Sequence, residues 1–139
     1  MYKWILILAL TAINCAPTKQ LPEPLQRQWM LVQFQNYDRD FLVKNRASLD
    51  LSPVKVPPQQ FSAYMGCNRI FLKAETKAGG VVKFSDMGST LMYCDNNMQL
   101  EDNFGKTLPK MTRYEIDGHH LTLSDKEGNK MKFVAADWD

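Results

Sequence analysis

The last third of the chain alternates apolar and polar residues around a central turn, and this pattern restricts the fold more than any other feature of the sequence. Residues 113–123 read RYEIDGHHLTL, with Asp117 and Gly118 between two alternating runs. Asp-Gly in this position is typical of a two-residue β-hairpin turn, and such a turn pairs Ile116 with His119. The pattern therefore predicts two antiparallel strands joined by a tight turn.

The same alternation assigns each side chain of this region to one of two faces. The apolar face carries Tyr114, Ile116, His119, Leu121 and Leu123. A second turn follows at residues 125–129, and beyond it the apolar face continues with Met131, Phe133 and Ala135. We therefore expect an antiparallel sheet with one side on a core and the other in solvent.

Shorter segments of strand character lie upstream of this region. The predicted strands are residues 29–34, 48–51, 61–65, 69–75 and 81–84. Between the first two, residues 36–45 are polar and predict a loop with a short turn. Prolines interrupt residues 52–59, which predicts a rigid connection or a poor edge strand.

Residues 95–108 predict a helix, because apolar residues recur there at helical spacing and Pro109 ends the run. The recurring residues are Leu100, Phe104, Leu108 and Met111. Asp95, Asn96 and Asn97 are each suited to cap the N-terminus of this helix. Gly105 weakens a helix interior, which suggests close packing against a sheet. Strands with one helix place the chain in the α+β class.

The N-terminus has the layout of an export signal. A lysine at position 3 precedes an apolar run, Trp4–Ile13, and Cys15 follows. A run of about ten apolar residues is typical of a signal peptide and too short to span a membrane. We predict a signal peptide at 1–14, a lipid-anchored Cys15 as the first mature residue, a proline-rich tether at 15–27 and a folded domain at 28–135.

Two alternatives to lipidation remain open at this N-terminus. Cleavage near Ala12 or Ala16 would discard Cys15 or leave it as a free thiol. A buried strand at residues 4–13 is the other alternative, but the polar, proline-containing stretch that follows disfavours it.

The chain has three cysteines, and an odd number in an exported protein requires an explanation. If Cys15 carries lipid, Cys67 and Cys94 remain as a pair. In an oxidising compartment they are expected to form a disulfide, which would add about 3 kcal/mol by the loop-entropy argument. Two reduced, buried cysteines are the alternative.

No pattern in the sequence points to catalysis, a metal or a cofactor. The net charge is only +2 and the basic residues are scattered, which disfavours nucleic acid as a partner. His119 and His120 are strand neighbours on opposite faces, so they cannot chelate one ion together. Cys94 at a helix start could be a nucleophile, but a disulfide would remove it. Glu101 is expected to bond a backbone or loop group rather than act in acid–base chemistry.

Several motifs resemble those of the META-domain family, which includes the HslJ-like heat-shock lipoproteins. The motifs are Trp29-Met30-Leu31, Gly66-Cys67-Asn68-Arg69, Thr90-Leu91-Met92-Tyr93-Cys94, Glu101 with Phe104 and Leu108, Tyr114, Gly118 to Leu123, and Gly128 with Phe133. The resemblance covers residues 28–134. It implies an antiparallel, partly barrel-like β-sheet meander with one helix packed across it.

The resemblance and the leader together give the expected function. We expect a monomeric outer-membrane lipoprotein of the bacterial cell envelope that faces the periplasm, with no enzymatic activity. Its role would be to display a surface to an unknown envelope protein, with a possible link to stress or virulence. A hydrophobic-ligand or lipid-binding module, similar to secretin pilot lipoproteins, is the main alternative; eight methionines could line such a groove or fill a core.

Overall fold

The computed structural model describes residues 20–55, 60–95 and 98–138. The predicted signal peptide and Cys15 lie outside these residues, as do the predicted helix caps Asn96 and Asn97. In the part of the chain that is described, no helix is both long enough and apolar enough to cross a membrane.

The described residues form eight antiparallel strands that pair in sequence order, and the last strand returns to pair with the first. The strands are β1 Gln28–Phe34, β2 Ser48–Asp50, β3 Phe61–Tyr64, β4 Arg69–Lys77, β5 Val81–Ser89, β6 Arg113–Asp117, β7 His120–Ser124 and β8 Lys130–Ala135. The sheet is thus a closed ring. The predicted α+β class, with a barrel-like antiparallel sheet and a helix packed on it, is confirmed.

Alternation along the strands fills the interior of the ring with apolar side chains. On β8, Met131, Phe133 and Ala135 are buried while Lys130 and Lys132 are exposed, as predicted. The largest fully buried side chains are Trp29, Phe34, Phe104 and Phe133. One continuous core therefore occupies the space inside the ring.

Two α-helices of the described residues pack against the ring. A short helix, α1 (Arg39–Lys44), lies within the stretch predicted as a loop, and the Asp38 side chain caps it by accepting from the backbone N–H of Asp40. The predicted longer helix, α2 (Met98–Thr107), continues into a 3-10 turn at Leu108–Lys110. Phe104 of α2 packs edge-to-face on Phe34.

Strands β5 and β6 form the weakest join of the ring. Their register contains one residue pair, Val81 with Arg113. Two backbone hydrogen bonds flank this pair, from Val82 N–H to Thr112 O and from Tyr114 N–H to Gly80 O. Helix α2 precedes β6 in the chain and lies beside the remainder of β5, where the two line a common groove.

The hairpin between β6 and β7 differs in register from the prediction. Ile116 pairs with Leu121 and Asp117 with His120, so the turn residues are Gly118 and His119. His119 is therefore exposed in the turn and is not on the apolar face. The positive φ of 59° at Gly118 fits either placement, so turn composition alone could not fix the register.

The prediction of an extended tether is wrong from Leu21 onward. Leu21 and Leu25 are buried, and residues Glu23–Leu25 form a 3-10 turn. The indole N–H of Trp29 donates to Leu25 O at 3.0 Å, which ties this turn to β1. Two leucines among the prolines are sufficient to dock the segment, because each buries its whole side chain.

The ring has two distinct ends. The terminal end holds the first residues of β1 and β3 and the last of β8, so the chain enters and leaves there. The loop end holds the last residues of β3 and β5 and the first of β4. Because neighbouring strands run in opposite directions, the connection after β5 lies opposite the N-terminal segment.

Candidate functional site

The connection between β5 and α2 exposes three consecutive large apolar side chains. Leu91 is 95% exposed, Met92 59% and Tyr93 81%. We call residues 90–95 the apolar loop. Contiguous apolar side chains on a protein surface usually mark a contact site, whereas isolated ones need no explanation. This loop is therefore the first candidate for a functional surface.

A disulfide between Cys67 and Cys94 fixes the C-terminal side of the apolar loop. It joins the β3–β4 hairpin to the segment that precedes α2, with the two Cα atoms 6.0 Å apart. Cys67 is buried and Cys94 is half-buried. The pairing predicted from cysteine parity is present, and neither sulfur of the pair is a free thiol.

The side chain of Asn68 fixes the middle of the loop with three hydrogen bonds. Its amide nitrogen donates to Met92 O at 2.9 Å, and its carbonyl oxygen accepts from Met92 N–H at 2.7 Å. The same oxygen accepts from the Thr90 hydroxyl at 3.0 Å. The buried Asn68 side chain thus gives the N–H and C=O of Met92 the two hydrogen bonds that a neighbouring strand would supply.

Glu101 of α2 supports Asn68 from behind. Its carboxylate accepts from the backbone N–H of Asn68 at 2.8 Å and from the side-chain amide of Asn68 at 2.9 Å. Both residues are buried, Asn68 at 2% exposure and Glu101 at 8%. Bonding a buried carboxylate to two donors offsets part of its desolvation cost. The expected role of Glu101 as a partner of a backbone group is confirmed.

These contacts hold the loop backbone at Thr90, Met92 and Cys94 while its apolar side chains project into solvent. Leu91, Met92 and Tyr93 offer no acid, base or nucleophile apart from one phenol. Such an arrangement can bind an apolar surface without first ordering its own backbone, and that lowers the entropic cost of binding.

A different group of side chains clusters at the terminal end. Arg27 Nη2 donates to Asp137 Oδ1 at 2.6 Å, and this hydrogen bond holds the pKa of the Asp137 carboxyl below its ordinary value. The ring of His119 stacks on Trp138 with centroids 5.0 Å apart. His120 meets the same indole edge-on. The two histidines thus share one aromatic partner, contrary to the prediction that they lie on opposite faces.

The acidic neighbour of Glu101 and the methionines do not form one group. Asp102 is exposed on α2, one residue from the buried Glu101. The methionines divide between uses: Met111 is in the core, Met87 is half-buried and Met92 is exposed. These three methionines therefore do not line one common groove.

Two surface grooves lie at the loop end. The larger, about 820 Å³, is lined mainly by polar and charged residues of the 3-10 turn and the β7–β8 turn. The smaller, 290 Å³, lies between the end of β5 and α2. Its lining residues are Ile70, Met87, Gly88, Ser89, Glu101, Asp102, Gly105 and Lys106.

Sequence reasoning did not assign a role to Asn68 or Thr90. The signal was present in the Gly-Cys-Asn and Thr-x-Met-x-Cys segments, whose spacing brings Asn68 opposite residues 90–92 once the cysteines pair. Single-sequence patterns do not reveal hydrogen bonds between residues more than 20 positions apart.

An α+β domain with a closed antiparallel ring, and with one disulfide that fixes an apolar loop, is the class of protein that this geometry defines. The META domain matches residues 22–138, more than three quarters of the chain. The chain therefore belongs to the META-domain family. No curated protein matches it significantly.

Solved structures share this fold at low sequence identity. A protein from Burkholderia xenovorans, determined by NMR, has 19% identity and a TM-score of 0.65, with 95% of this chain and all of that chain covered. A second NMR structure has 17% identity and a TM-score of 0.61, with 84% of this chain and 97% of that chain covered. At these identities the similarity is evidence for the fold alone.

Proposed function

We propose that this chain is an exported, non-enzymatic META-domain protein of the bacterial cell envelope that presents the apolar loop to a protein partner. One observation carries the proposal: Leu91, Met92 and Tyr93 are exposed on a backbone held by a disulfide and by Asn68. A loop that only connected β5 to α2 would not need this support.

Export and anchoring complete the proposal. Cleavage before Cys15 and acylation of that residue would make an outer-membrane lipoprotein facing the periplasm. The Cys67–Cys94 disulfide supports this location, because disulfides persist in oxidising compartments and are rare in the cytosol. We further propose that the protein acts as a monomer in which envelope stress or virulence is the physiological setting, in line with the resemblance to HslJ-like lipoproteins.

The position of the anchor favours a protein partner over a lipid. Five residue steps separate Cys15 from Gln20, the first described residue, and a chain of this length spans at most about 18 Å. The terminal end would then lie close to the membrane. Because the apolar loop is at the opposite end of the ring, its three side chains would face away from the bilayer.

Two competing functions have less support. The sulfur atoms of Cys67 and Cys94 are bonded to each other, which disfavours a cysteine enzyme. The interior of the ring is filled by large side chains such as Trp29 and Phe133, which disfavours a hydrophobic ligand held inside it.

Mass spectrometry of the native N-terminus tests the anchor. We expect a mature chain that begins at Cys15 and carries added acyl mass. A free amine at Ala16 or beyond would contradict lipidation and leave the display function to be tested separately.

Site-specific photocrosslinking in intact cells tests the display function. A photoreactive amino acid at position 91 or 93 should give one discrete protein adduct that is lost on Met92→Ser substitution. The matched control is position 43, because Val43 is also an exposed apolar residue but lies on α1. Equal adducts from positions 43 and 91 would refute a dedicated surface.

A further inference from the structure

The end of strand β5, next to the apolar loop, has one edge without a paired strand. Among the described strands, β5 and β6 share only the pair Val81–Arg113. Continuing that register would place residues 105–112 along the rest of β5, but residues 105–110 of this stretch form the end of α2 and the 3-10 turn. Among the residues that the structure describes, the exposed end of β5 therefore has no strand paired with it on the side of α2.

Backbone directions at this end can be assigned from one hydrogen bond. The N–H of Thr90 donates to Arg69 O, toward β4. Because the backbone groups of successive strand residues point to alternate sides, the N–H and C=O of Ser89 point toward α2. Gly88 and Ser89 are exposed and Met87 is half-exposed, so these groups are accessible to a binding partner.

The 290 Å³ groove lies along this edge. Gly88 lines it from the strand and Gly105 from the helix, and a Cβ atom added to either would meet nothing within 4 Å. The prediction that Gly105 packs closely against the sheet is therefore wrong. The volume is close to the lower limit of sites that bind small ligands, about 300 Å³, and suits a short segment.

The lining of the groove carries two acidic side chains and one basic side chain. Glu101 is buried and accepts from Asn68, and the exposed Asp102 and Lys106 on α2 have opposite signs. The exposed part of the lining therefore has no excess of one charge, which favours an uncharged occupant. Since unpaired strand N–H and C=O groups are complementary to another extended backbone, the occupant that satisfies both features is a polypeptide.

We propose that the partner inserts a short, extended, uncharged peptide segment into this groove. The segment pairs with β5 at Met87–Ser89 as an additional strand, and a small or apolar side chain of the segment lies between Gly88 and Gly105. This proposal rests on the proposed function, because the apolar loop continues directly from Ser89 and would contact the same partner.

Selection from a displayed library of random heptapeptides on the oxidised mature protein tests the groove. The enriched peptides should bind wild type and Val43→Trp with equal affinity, because Val43 is exposed on α1 and does not line the groove. Gly105→Trp, which fills the groove, and Ser89→Pro, which removes the N–H directed at the peptide, should each weaken binding by about tenfold or more. Amide shifts in NMR spectra should concentrate at residues 86–93 and 101–106.

The peptide backbone supplies an independent control. N-methylation at alternate peptide positions should abolish binding while every side chain is retained, because it removes the donors that pair with β5. The absence of enriched peptides, or binding to Gly105→Trp at wild-type affinity, would overturn the proposal. So would a concentration-dependent dimer that Ser89→Pro dissociates, since a second copy would then occupy the edge.

The crosslinking experiment separates this inference from the proposed function. If Met92→Ser removes the adduct formed from position 91 while Gly105→Trp leaves it unchanged, the apolar loop is the contact and the groove is not. Loss of the adduct in both variants, with Val43→Trp unaffected, is the result expected here.

Discussion

The loop end and the terminal end of the ring are held by different kinds of interaction. At the loop end, a disulfide and a buried pair, Asn68 with Glu101, fix an apolar segment. At the terminal end, an ion pair between Arg27 and Asp137 and the stacking of His119 on Trp138 join the chain termini at the surface. The two ends therefore differ in burial as well as in chemistry.

This difference indicates that the strongest local restraints hold the proposed contact surface at the loop end. An apolar loop left to itself would fold back onto the protein or sample many conformations, and preventing this requires strong local restraints. At the terminal end the ion pair and the stacked rings lie on the surface of a core that is already packed. Exposed ion pairs of this kind contribute little to the free energy of unfolding. Variants at the loop end should therefore have the larger effects.

Removal of the disulfide should have the largest effect of the variants considered. We expect Cys67→Ser with Cys94→Ser to lower the free energy of unfolding by about 3 to 4 kcal/mol, because a cross-link 27 residues apart restricts the unfolded chain. Urea denaturation measures this. The core should remain folded, so limited proteolysis should cut the variant within residues 90–95 first. Unchanged resistance at that loop would contradict the proposed restraint.

Asn68→Ala should have the next largest effect, about 2 to 3 kcal/mol, because it leaves a buried carboxylate oxygen of Glu101 without a donor and the Met92 N–H without an acceptor. Urea denaturation of the oxidised protein measures this loss. Thr90→Val is the matched control, since it removes one hydroxyl from the same network at an exposed position. The interpretation fails if the two variants have equal effects.

Two glycines, one just before β5 and one in α2 beside the end of β5, should respond in opposite directions to alanine. Gly80 has φ of +75°, and a Cβ there would lie 2.9 Å from Tyr114 O. Gly80→Ala should therefore lower the free energy of unfolding by about 1 to 2 kcal/mol. Gly105 is in α2 with space around it. Gly105→Ala should therefore raise the free energy of unfolding by up to about 1 kcal/mol. Thermal unfolding of both variants tests the pair, and a destabilised Gly105→Ala would contradict an open groove.

The sequence predicted the elements of this fold better than the contacts between them. The hydrophobic alternation at Met131, Phe133 and Ala135 and the helical spacing at Leu100 and Phe104 reflect burial, and burial is imposed locally on each element. By contrast, the predicted register of the β6–β7 hairpin was wrong. Asp117-Gly118 and Gly118-His119 are both acceptable turns, and the choice depends on pairing across the sheet.

The candidate site was predictable only in part. Cysteine parity led to the Cys67–Cys94 bond, because export of the chain with lipid on Cys15 would leave these two sulfurs as an even pair. The role of Asn68 was not predicted, since its partners Met92 and Glu101 are 24 and 33 residues away. The docking of Leu21 and Leu25 was missed because the prolines around them suggested an extended chain.

The smallest effect should come from the carboxylate at the terminal end, where the hydrogen bond from Arg27 holds the pKa of Asp137 below its ordinary value. A lowered pKa in the folded state adds stability at pH values above the pKa of the unfolded chain, and this contribution is lost as the pH falls through the folded pKa. Asp137→Asn should thus lower the thermal midpoint by only about 1 °C at pH 7. The difference from wild type should vanish in acid.

Salt dependence then separates this carboxylate from its counterpart at the loop end. The pKa of Asp125, in the β7–β8 turn, is also lowered, chiefly by the side-chain amide of Asn129. Its partners are neutral, whereas Asp137 faces the Arg27 guanidinium. Because salt screens charge pairs, 1 M NaCl should abolish the effect of Asp137→Asn and leave that of Asp125→Asn. Equal loss of both effects would mean that the two ends do not differ in the way proposed.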